Sequence, residues 1–134
     1  MLFRSGASAT WPIAADVLTH PRTAGTFSRV LRWYVRELRV LDLAEAIRRC
    51  TLVPAEILRG IAPGMARKGR IQVGADADLV AFDPETVSDR ATYDSPTRTS
   101  QGMRHVLVAG TLVVIDGVLD THARPGLPVR GAVL

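Results

Sequence analysis

The sequence predicts an α+β protein in which helices come first and a small antiparallel sheet follows. Apolar residues recur at helical spacing between residues 27 and 58. From Ile71 onward, apolar and polar residues alternate with the period of two that is typical of strands. The change falls in residues 67–83, RKGRIQVGADADLVAFD, so we predict two segments, residues 1–66 and residues 67–134.

Composition is that of a globular chain with a single core. The 134 residues are 47% hydrophobic, which is too apolar for a disordered tail. One cysteine, Cys50, excludes an intramolecular disulfide framework and is typical of a reducing compartment. There is no run of about 18 apolar residues and no apolar core of a signal peptide, so we expect a cytoplasmic protein without a membrane partner.

The first segment begins with a predicted loop and continues as an amphipathic helix. Residues 1–25 are rich in Gly, Ala, Ser, Thr and Pro and lack a period. Thr26 is expected to be the N-cap of a helix of about Phe27 to Leu38. The predicted apolar face of this helix consists of Phe27, Val30, Leu31, Tyr34, Val35 and Leu38.

Two shorter helices are predicted next. Asp42 is the expected N-cap of the second helix, and Glu45 follows three residues later, as in a capping box. The predicted inner stripe of that helix consists of Leu43, Ala44, Ile47 and Cys50. Pro54 suits the first turn of a third helix, which is predicted to end at Leu58.

The second segment predicts strands and tight turns. Strands are expected at residues 70–73, 78–83, 105–108, 112–115 and 118–119. Pro84 ends the second of these, which is predicted to be buried, because proline has no N–H for the ladder. Residues 84–103 are predicted to form a polar loop. A hairpin is expected around residues 109–111, and Asp116-Gly117 is typical of a type I′ turn.

The stretch between the segments resembles a known signature. The pattern G-x-I-x-x-G-x-x-A-D-L-V-x-F-D is met by Gly69, Ile71, Gly74, Ala77, Asp78, Leu79, Val80, Phe82 and Asp83. It is similar to the C-terminal signature of the metal-dependent amidohydrolase superfamily. In that superfamily the signature marks the passage from a catalytic barrel into a small β-sandwich and contains no catalytic group.

A second motif narrows the resemblance. The run HPR-x-x-GTF-x-RVL, from His20 to Leu31, is similar to a segment of N-acyl-D-amino-acid deacylases, the D-aminoacylase-like enzymes. The similarity extends over about residues 20–131. It implies that residues 1–66 are the last helices of a (β/α)₈ barrel and that residues 67–134 are a partial β-sandwich. The active site of such a barrel lies at its C-terminal mouth.

The resemblance implies a hydrolase that acts on a non-peptide C–N bond, releasing a D-amino acid and a carboxylate from an N-acyl-D-amino acid. In the family, zinc activates water, and the Asp of a Ser-Asp-Gly motif transfers protons. Here Ser5 stands at the place of that Asp, within Arg4-Ser5-Gly6, and a serine hydroxyl is no base at neutral pH. The zinc ligands belong to earlier barrel strands. We therefore expect this chain to bind no zinc and to be inactive alone.

Two residues are expected to bind the substrate. The guanidinium of Arg22 suits a substrate carboxylate, and His20 stands beside it. The alternatives are that Arg22 fastens its own loop and that His20 is a capping or solvated residue. Expected partners are a small N-acyl amino acid and either a second copy of the chain or the missing barrel half. The alternative function is a non-catalytic structural or assembly module, or a truncated remnant.

Other chemistry is less favoured by the sequence. A Ser-His-Asp set would need Ser5, then His20 or His105, and Asp16 or Asp78, but the chain has no G-x-S-x-G. Cys50 lies on an apolar helix stripe and is expected to be a buried structural thiol. Asp76 and Asp78 would share one face of a strand as paired carboxylates, although in the family they orient a turn.

Charge raises the question of nucleic acid. The net charge is +4, and the first helix contains Arg29, Arg32, Arg36 and Arg39, which suit a row of phosphates. Acidic residues interrupt this series, and we expect no aromatic side chains among the arginines for stacking. A solvated helix face, or one packed on the missing barrel, is therefore favoured over a nucleic-acid partner.

Overall fold

The structure is a computed structural model, and it describes residues 20–131. Ser5 and Asp16 lie outside the described residues. The contacts divide the chain into two compact units, one of residues 20–40 and 83–102 and the other of residues 41–82 and 103–131. The predicted division into residues 1–66, a barrel segment, and residues 67–134, a sandwich segment, stays a prediction.

The main helix of the first unit begins earlier than the sequence predicts. Helix α1 spans Arg22–Arg29, and a π-helix spans Val30–Glu37. Thr26 is not the N-cap, because it lies inside α1 and its hydroxyl donates to the Arg22 carbonyl oxygen at 2.6 Å. A threonine inside a helix often donates its hydroxyl hydrogen to the carbonyl oxygen four residues earlier. In the π-helix, the Leu38 N–H donates to the Trp33 carbonyl oxygen, five residues back, at 2.8 Å.

The buried face of this helix differs from the predicted apolar face. Gly25 and Ser28 are buried, whereas Tyr34 and Leu38 are 41% and 51% exposed. The reason is that the small residues of the helix pack against the polar loop of the same unit. The Ser28 hydroxyl donates to Ser100 Oγ at 2.7 Å. A Cβ at Gly25 would lie 3.0 Å from the Asp89 Cβ.

The polar loop predicted at residues 84–103 is irregular over residues 84–102, but it is internally bonded. The Asp83 N–H donates to the Gly102 carbonyl oxygen at 3.0 Å. Ser88 and Gln101 form an isolated antiparallel bridge. Val87 is fully buried. The loop therefore holds a defined path from one end to the other.

Helix α2, Leu43–Cys50, opens the second unit. Its N-cap is confirmed, since Asp42 Oδ1 accepts the Glu45 N–H at 2.8 Å. The second hydrogen bond of a capping box, from the Asp42 backbone N–H to the Glu45 carboxylate, is not formed. The Glu45 carboxylate accepts from Arg48 and Arg49 instead. These two hydrogen bonds, from Arg48 first and then Arg49, lower the pKa of Glu45 to about 2.

The predicted stripe of α2 is wrong in part. Ala46 is fully buried, whereas Ala44 and Ile47 are exposed. Helix α3 spans Leu52–Leu58, so it begins two residues before Pro54. A 3₁₀-helix follows at Pro63–Arg67.

Residues 70–73 do not form the predicted strand. Ile71 and Val73 are 91% and 101% exposed, so neither side chain packs on the part of the chain that the structure describes. The chain turns instead, and the Gln72 carbonyl oxygen accepts the Ala75 N–H at 3.0 Å. Alternation predicts a strand only where one face is buried and a partner strand is in reach.

The other strands form one antiparallel sheet in the order β1-β2-β3-β4. They are β1 Leu79–Phe82, β2 Met103–Val108, β3 Thr111–Ile115 and β4 Val118–Leu119. Both predicted turns are confirmed: φ is 48° and 81° at Ala109 and Gly110, and 49° and 80° at Asp116 and Gly117. Strand β1 is less buried than predicted, because Val80 is 38% exposed.

The α+β class is therefore confirmed. None of the helices within residues 20–131 has the length and apolar character needed to cross a bilayer.

Candidate functional site

A cleft of about 580 Å³ opens within the unit formed by residues 20–40 and 83–102. One wall contains residues 20–22 and the start of α1. The other contains Asp89 and residues 91–93 of the polar loop. The structure thus brings together both residues that the sequence predicts to bind substrate, His20 and Arg22.

His20 is fixed through both of its ring nitrogens. Its Nδ1 accepts the Arg22 N–H at 3.1 Å, and its Nε2 lies 3.3 Å from the Tyr93 hydroxyl. The two rings meet edge to face, with centroids 5.3 Å apart. His20 therefore has the capping role that the sequence left open, and it has this role while lining the cleft.

The guanidinium of Arg22 has no hydrogen bond or ion pair within residues 20–131, where only its backbone atoms are bonded. The alternative role of Arg22, an ion pair or hydrogen bond that holds its own loop, would therefore need a partner outside residues 20–131. Arg22 is exposed and lines the cleft. A planar guanidinium in this position suits a carboxylate, which it binds through two parallel hydrogen bonds.

Asp89 is the anionic group of the cleft, and it is already paired. Its side chain is only 8% exposed and accepts from Arg32 Nε at 2.8 Å, while Arg29 Nη1 lies 3.9 Å away. The hydrogen bond to Asp89 raises the pKa of Arg32, which also pairs with Glu37. Because Asp89 is shared between two arginines, the cleft keeps an excess of positive charge.

The arginines of the helix mainly hold the loop. Arg36 donates to the carbonyl oxygens of Pro84 and Val87, both at 2.8 Å. A solvated face is therefore wrong for Arg32 and Arg36. The guanidinium of Arg29 lies 4.5 Å from the Trp33 ring centroid, so the expectation of no aromatic side chain among the arginines is also wrong.

A second polar cluster lies in the other unit, around Lys68. The Lys68 ammonium is 2.9 Å from Asp76 Oδ2 and 2.5 Å from Asp78 Oδ2, and Asp78 Oδ1 accepts the Ala109 N–H at 2.8 Å. Burial opposes the charge on Asp78, but the bonds from Ala109 and Lys68 outweigh it and lower the pKa. The pKa of Asp76 is lowered by Arg67 and then by Lys68. Both carboxylates hold a turn, as the resemblance implies.

The described residues do not fit a zinc site. Within residues 20–131, no three side chains of His, Cys, Asp or Glu come together in a way that would hold a metal ion. Cys50 is partly buried, and burial raises the pKa of its thiol, as suits a structural thiol. Nε2 of His105 lies 3.7 Å from Asp116, a pairing absent from the Ser-His-Asp sets considered above.

Sequence reasoning missed three residues of the cleft: Trp33, Asp89 and Tyr93. They are joined to their partners by contacts that span up to 73 residues, as between His20 and Tyr93. The sequence contains a weak signal, because Asp89 and Tyr93 stand in a loop otherwise rich in small polar residues. The sequence does not indicate that this loop packs on the first helix.

Comparison with known proteins gives the same assignment in sequence and in structure. The model of the Amidohydrolase family matches residues 10–114. An N-acyl-D-glutamate deacylase of Alcaligenes xylosoxydans xylosoxydans is 49% identical over 115 residues, which are 86% of this chain and 22% of that protein. An N-acyl-D-aspartate deacylase of the same organism is 43% identical over 111 residues, 83% of this chain and 21% of that protein.

A solved structure is similar as well. It is the N-acyl-D-glutamate deacylase from Bordetella bronchiseptica, complexed with zinc and a phosphonate inhibitor that mimics the tetrahedral intermediate of the reaction. The TM-score is 0.72 at 46% identity, over 84% of this chain and 22% of that chain. The chain spans about a fifth of the length of these relatives.

Proposed function

This chain belongs to the Amidohydrolase family, and on that premise we propose that it forms the C-terminal part of an N-acyl-D-amino-acid deacylase. The reaction is hydrolysis of the amide bond of an N-acyl-D-amino acid, which yields a D-amino acid and a carboxylate. N-acyl-D-glutamate is the first substrate to test, because the deacylase for that substrate is 49% identical over 115 residues.

The observation on which the proposal depends is the cleft beside α1. It combines a guanidinium that has no partner within residues 20–131 with an excess of positive charge. Arg22 binds a carboxylate of the substrate, and His20 holds the Arg22 backbone in place. A substrate with at least one carboxylate is therefore recognised by charge and by the planar geometry of the guanidinium.

Catalysis is assigned to the rest of the enzyme. The solved relative contains zinc, and the described residues offer no group of ligands for a metal. With Ser5 in place of an acidic proton carrier, this chain has no assigned general base. The barrel portion thus supplies the metal and the attacking water, while this chain supplies part of the substrate-binding wall and the segment that resembles the sandwich.

Exposed apolar side chains support the need for a partner. In the unit of residues 41–82 and 103–131 they include Ile57, Ile61, Ile71, Val73 and Leu127, all at least 70% exposed. Apolar surface of this kind marks an interaction site or an aggregation liability. The barrel portion, or a second copy of the chain, covers it. A cytoplasmic location remains part of the proposal, from cysteine usage alone.

A graft tests this function. Residues 20–131 of this chain replace the matching segment of the 49% identical N-acyl-D-glutamate deacylase. We expect zinc-dependent hydrolysis of N-acetyl-D-glutamate. Arg22→Ala should raise KM roughly 10- to 100-fold, since a hydrogen-bonded charge is lost. Arg98→Ala removes an exposed arginine of the loop that does not line the cleft, and its KM should stay within about twofold.

A folded, zinc-loaded graft without turnover would contradict the proposal and favour a non-catalytic structural module. If the graft does not fold, the separately purified chain is mixed with the truncated relative that lacks the matching segment. Recovery of hydrolysis only in the mixture supports the proposal. A mixture that forms a complex without hydrolysis contradicts it.

A further inference from the structure

Tyr93 is a large aromatic side chain left in solvent at the wall of the cleft. It is 78% exposed, yet its ring is held edge to face by His20. Its hydroxyl lies 3.3 Å from His20 Nε2, and no other hydrogen bond of that hydroxyl occurs within residues 20–131. Packing alone does not explain a phenol in this position.

The protons around His20 determine what this phenol can donate. A backbone N–H can only donate, so the Arg22 amide requires His20 Nδ1 to be an acceptor. A neutral imidazole then has its proton on Nε2, and this N–H donates to the Tyr93 oxygen. The phenolic hydrogen of Tyr93 therefore has no acceptor in the described part of the chain and is free for a ligand.

We propose that Tyr93 is a second carboxylate-binding group of the cleft, which donates its hydroxyl hydrogen to the anion that Arg22 pairs with. This proposal rests on the proposed function for the identity of the ligand, an N-acyl amino acid. Arg22 supplies the charge, and Tyr93 supplies a neutral donor from the opposite wall. A carboxylate accepts both at once, because its two oxygens offer several lone pairs.

His20 is the positioning residue of this pair. One ring nitrogen holds the backbone of Arg22 and the other holds the Tyr93 oxygen, so the two binding groups are set by a single side chain. His20→Gln keeps a donor and an acceptor on a more flexible side chain. It should weaken binding less than His20→Ala, whereas kcat should change little in either variant.

The decisive variant is Tyr93→Phe, which keeps the ring against His20 and removes only the hydroxyl. In an active graft we expect KM for N-acetyl-D-glutamate to rise roughly tenfold, with kcat within about twofold, as for one hydrogen bond to a charged group. Tyr93→Ala should raise KM further, because the edge-to-face contact is lost as well. An unchanged KM in Tyr93→Phe, with turnover intact, overturns this inference and leaves the proposed function standing.

Direct binding separates the two proposals when no graft turns over. The 134-residue chain is titrated with N-acetyl-D-glutamate and, separately, with the uncharged N-acetyl-D-alaninamide, and the shifts of its NMR signals are followed. We expect the carboxylate alone to bind, and Tyr93→Phe to weaken that binding roughly tenfold. Equal binding of the charged and uncharged probes, equal affinities of the wild type and Tyr93→Phe, or no binding at all would each overturn the inference.

Discussion

Gly69 lies where the chain leaves the 3₁₀-helix, and two separate features make any other residue costly there. Its φ is +72°, in the left-handed region. A Cβ built at Gly69 would lie 2.5 Å from the Thr51 carbonyl oxygen and 2.7 Å from its carbon. Gly74, five residues later, has φ +82° with nothing within 4 Å of its Cβ position. Both glycines therefore have a positive φ that would strain any other residue, but only at Gly69 would a Cβ also meet backbone atoms.

The expected stability losses of the two Gly→Ala variants follow from this difference in steric contact. A left-handed alanine costs roughly 1–2 kcal/mol, and an atom forced into a packed backbone adds about 1–3 kcal/mol. Gly69→Ala should therefore lower the free energy of unfolding by about 2–5 kcal/mol. Gly74→Ala should lower it by about 1–2 kcal/mol, so the loss in Gly69→Ala should be larger by about 1–3 kcal/mol. The smaller number of unfolded conformations after Gly→Ala offsets part of both losses equally.

Urea unfolding of both variants, followed by circular dichroism and extrapolated to water, measures the two losses. The wild type and both variants are compared in the same buffer and at the same protein concentration. Equal losses for Gly69→Ala and Gly74→Ala would refute the reasoning, because the Thr51 backbone would then add nothing to the cost.

Two further predictions concern charged side chains. Asp89→Asn removes the buried carboxylate that Arg32 and Arg29 share, and it should lower the free energy of unfolding by roughly 2–4 kcal/mol. Asp94→Asn, an exposed change in the same loop, should change the free energy of unfolding by no more than about 0.5 kcal/mol. Equal losses in the two variants would contradict the assigned role of Asp89. Hydrogen bonds from Ala109 and Lys68 lower the pKa of Asp78 against the effect of burial. The Asp78 carboxylate therefore stabilises the folded state fully above its unfolded pKa, near pH 4, and this stabilisation is lost as pH falls through its folded pKa. Asp78→Asn should flatten the fall of Tm below about pH 4, and an unchanged acid profile would show that Asp78 adds nothing to it.

The elements that sequence patterns predicted correctly are those with a local cause. The turns at residues 109–110 and 116–117 each contain a glycine with positive φ, and φ is also positive at Asp116, as the type I′ turn expected at Asp116-Gly117 requires. The N-cap at Asp42 depends on one side chain three residues from its partner. The family resemblance also holds, since long runs of matching residues carry information that no single pattern does.

The errors fall where distant contacts decide. The first helix buries Gly25 and Ser28 rather than its apolar face, because the loop of residues 83–102 packs there. Residues 70–73 alternate like a strand but form a turn, and both Ile71 and Val73 are exposed to solvent. In the same way, the cleft brings His20 to Tyr93 across 73 residues of sequence. The apolar faces left exposed agree with a chain that spans about a fifth of its relatives.

The most direct test is the zinc content and activity of the 134-residue chain by itself. After dialysis against zinc and removal of loosely bound ions, we expect less than a stoichiometric amount of metal and no hydrolysis of N-acetyl-D-glutamate. The graft, assayed in parallel, should hydrolyse the same substrate. One tightly bound zinc ion per chain together with turnover would place the catalytic centre within these residues and contradict the division of labour proposed above.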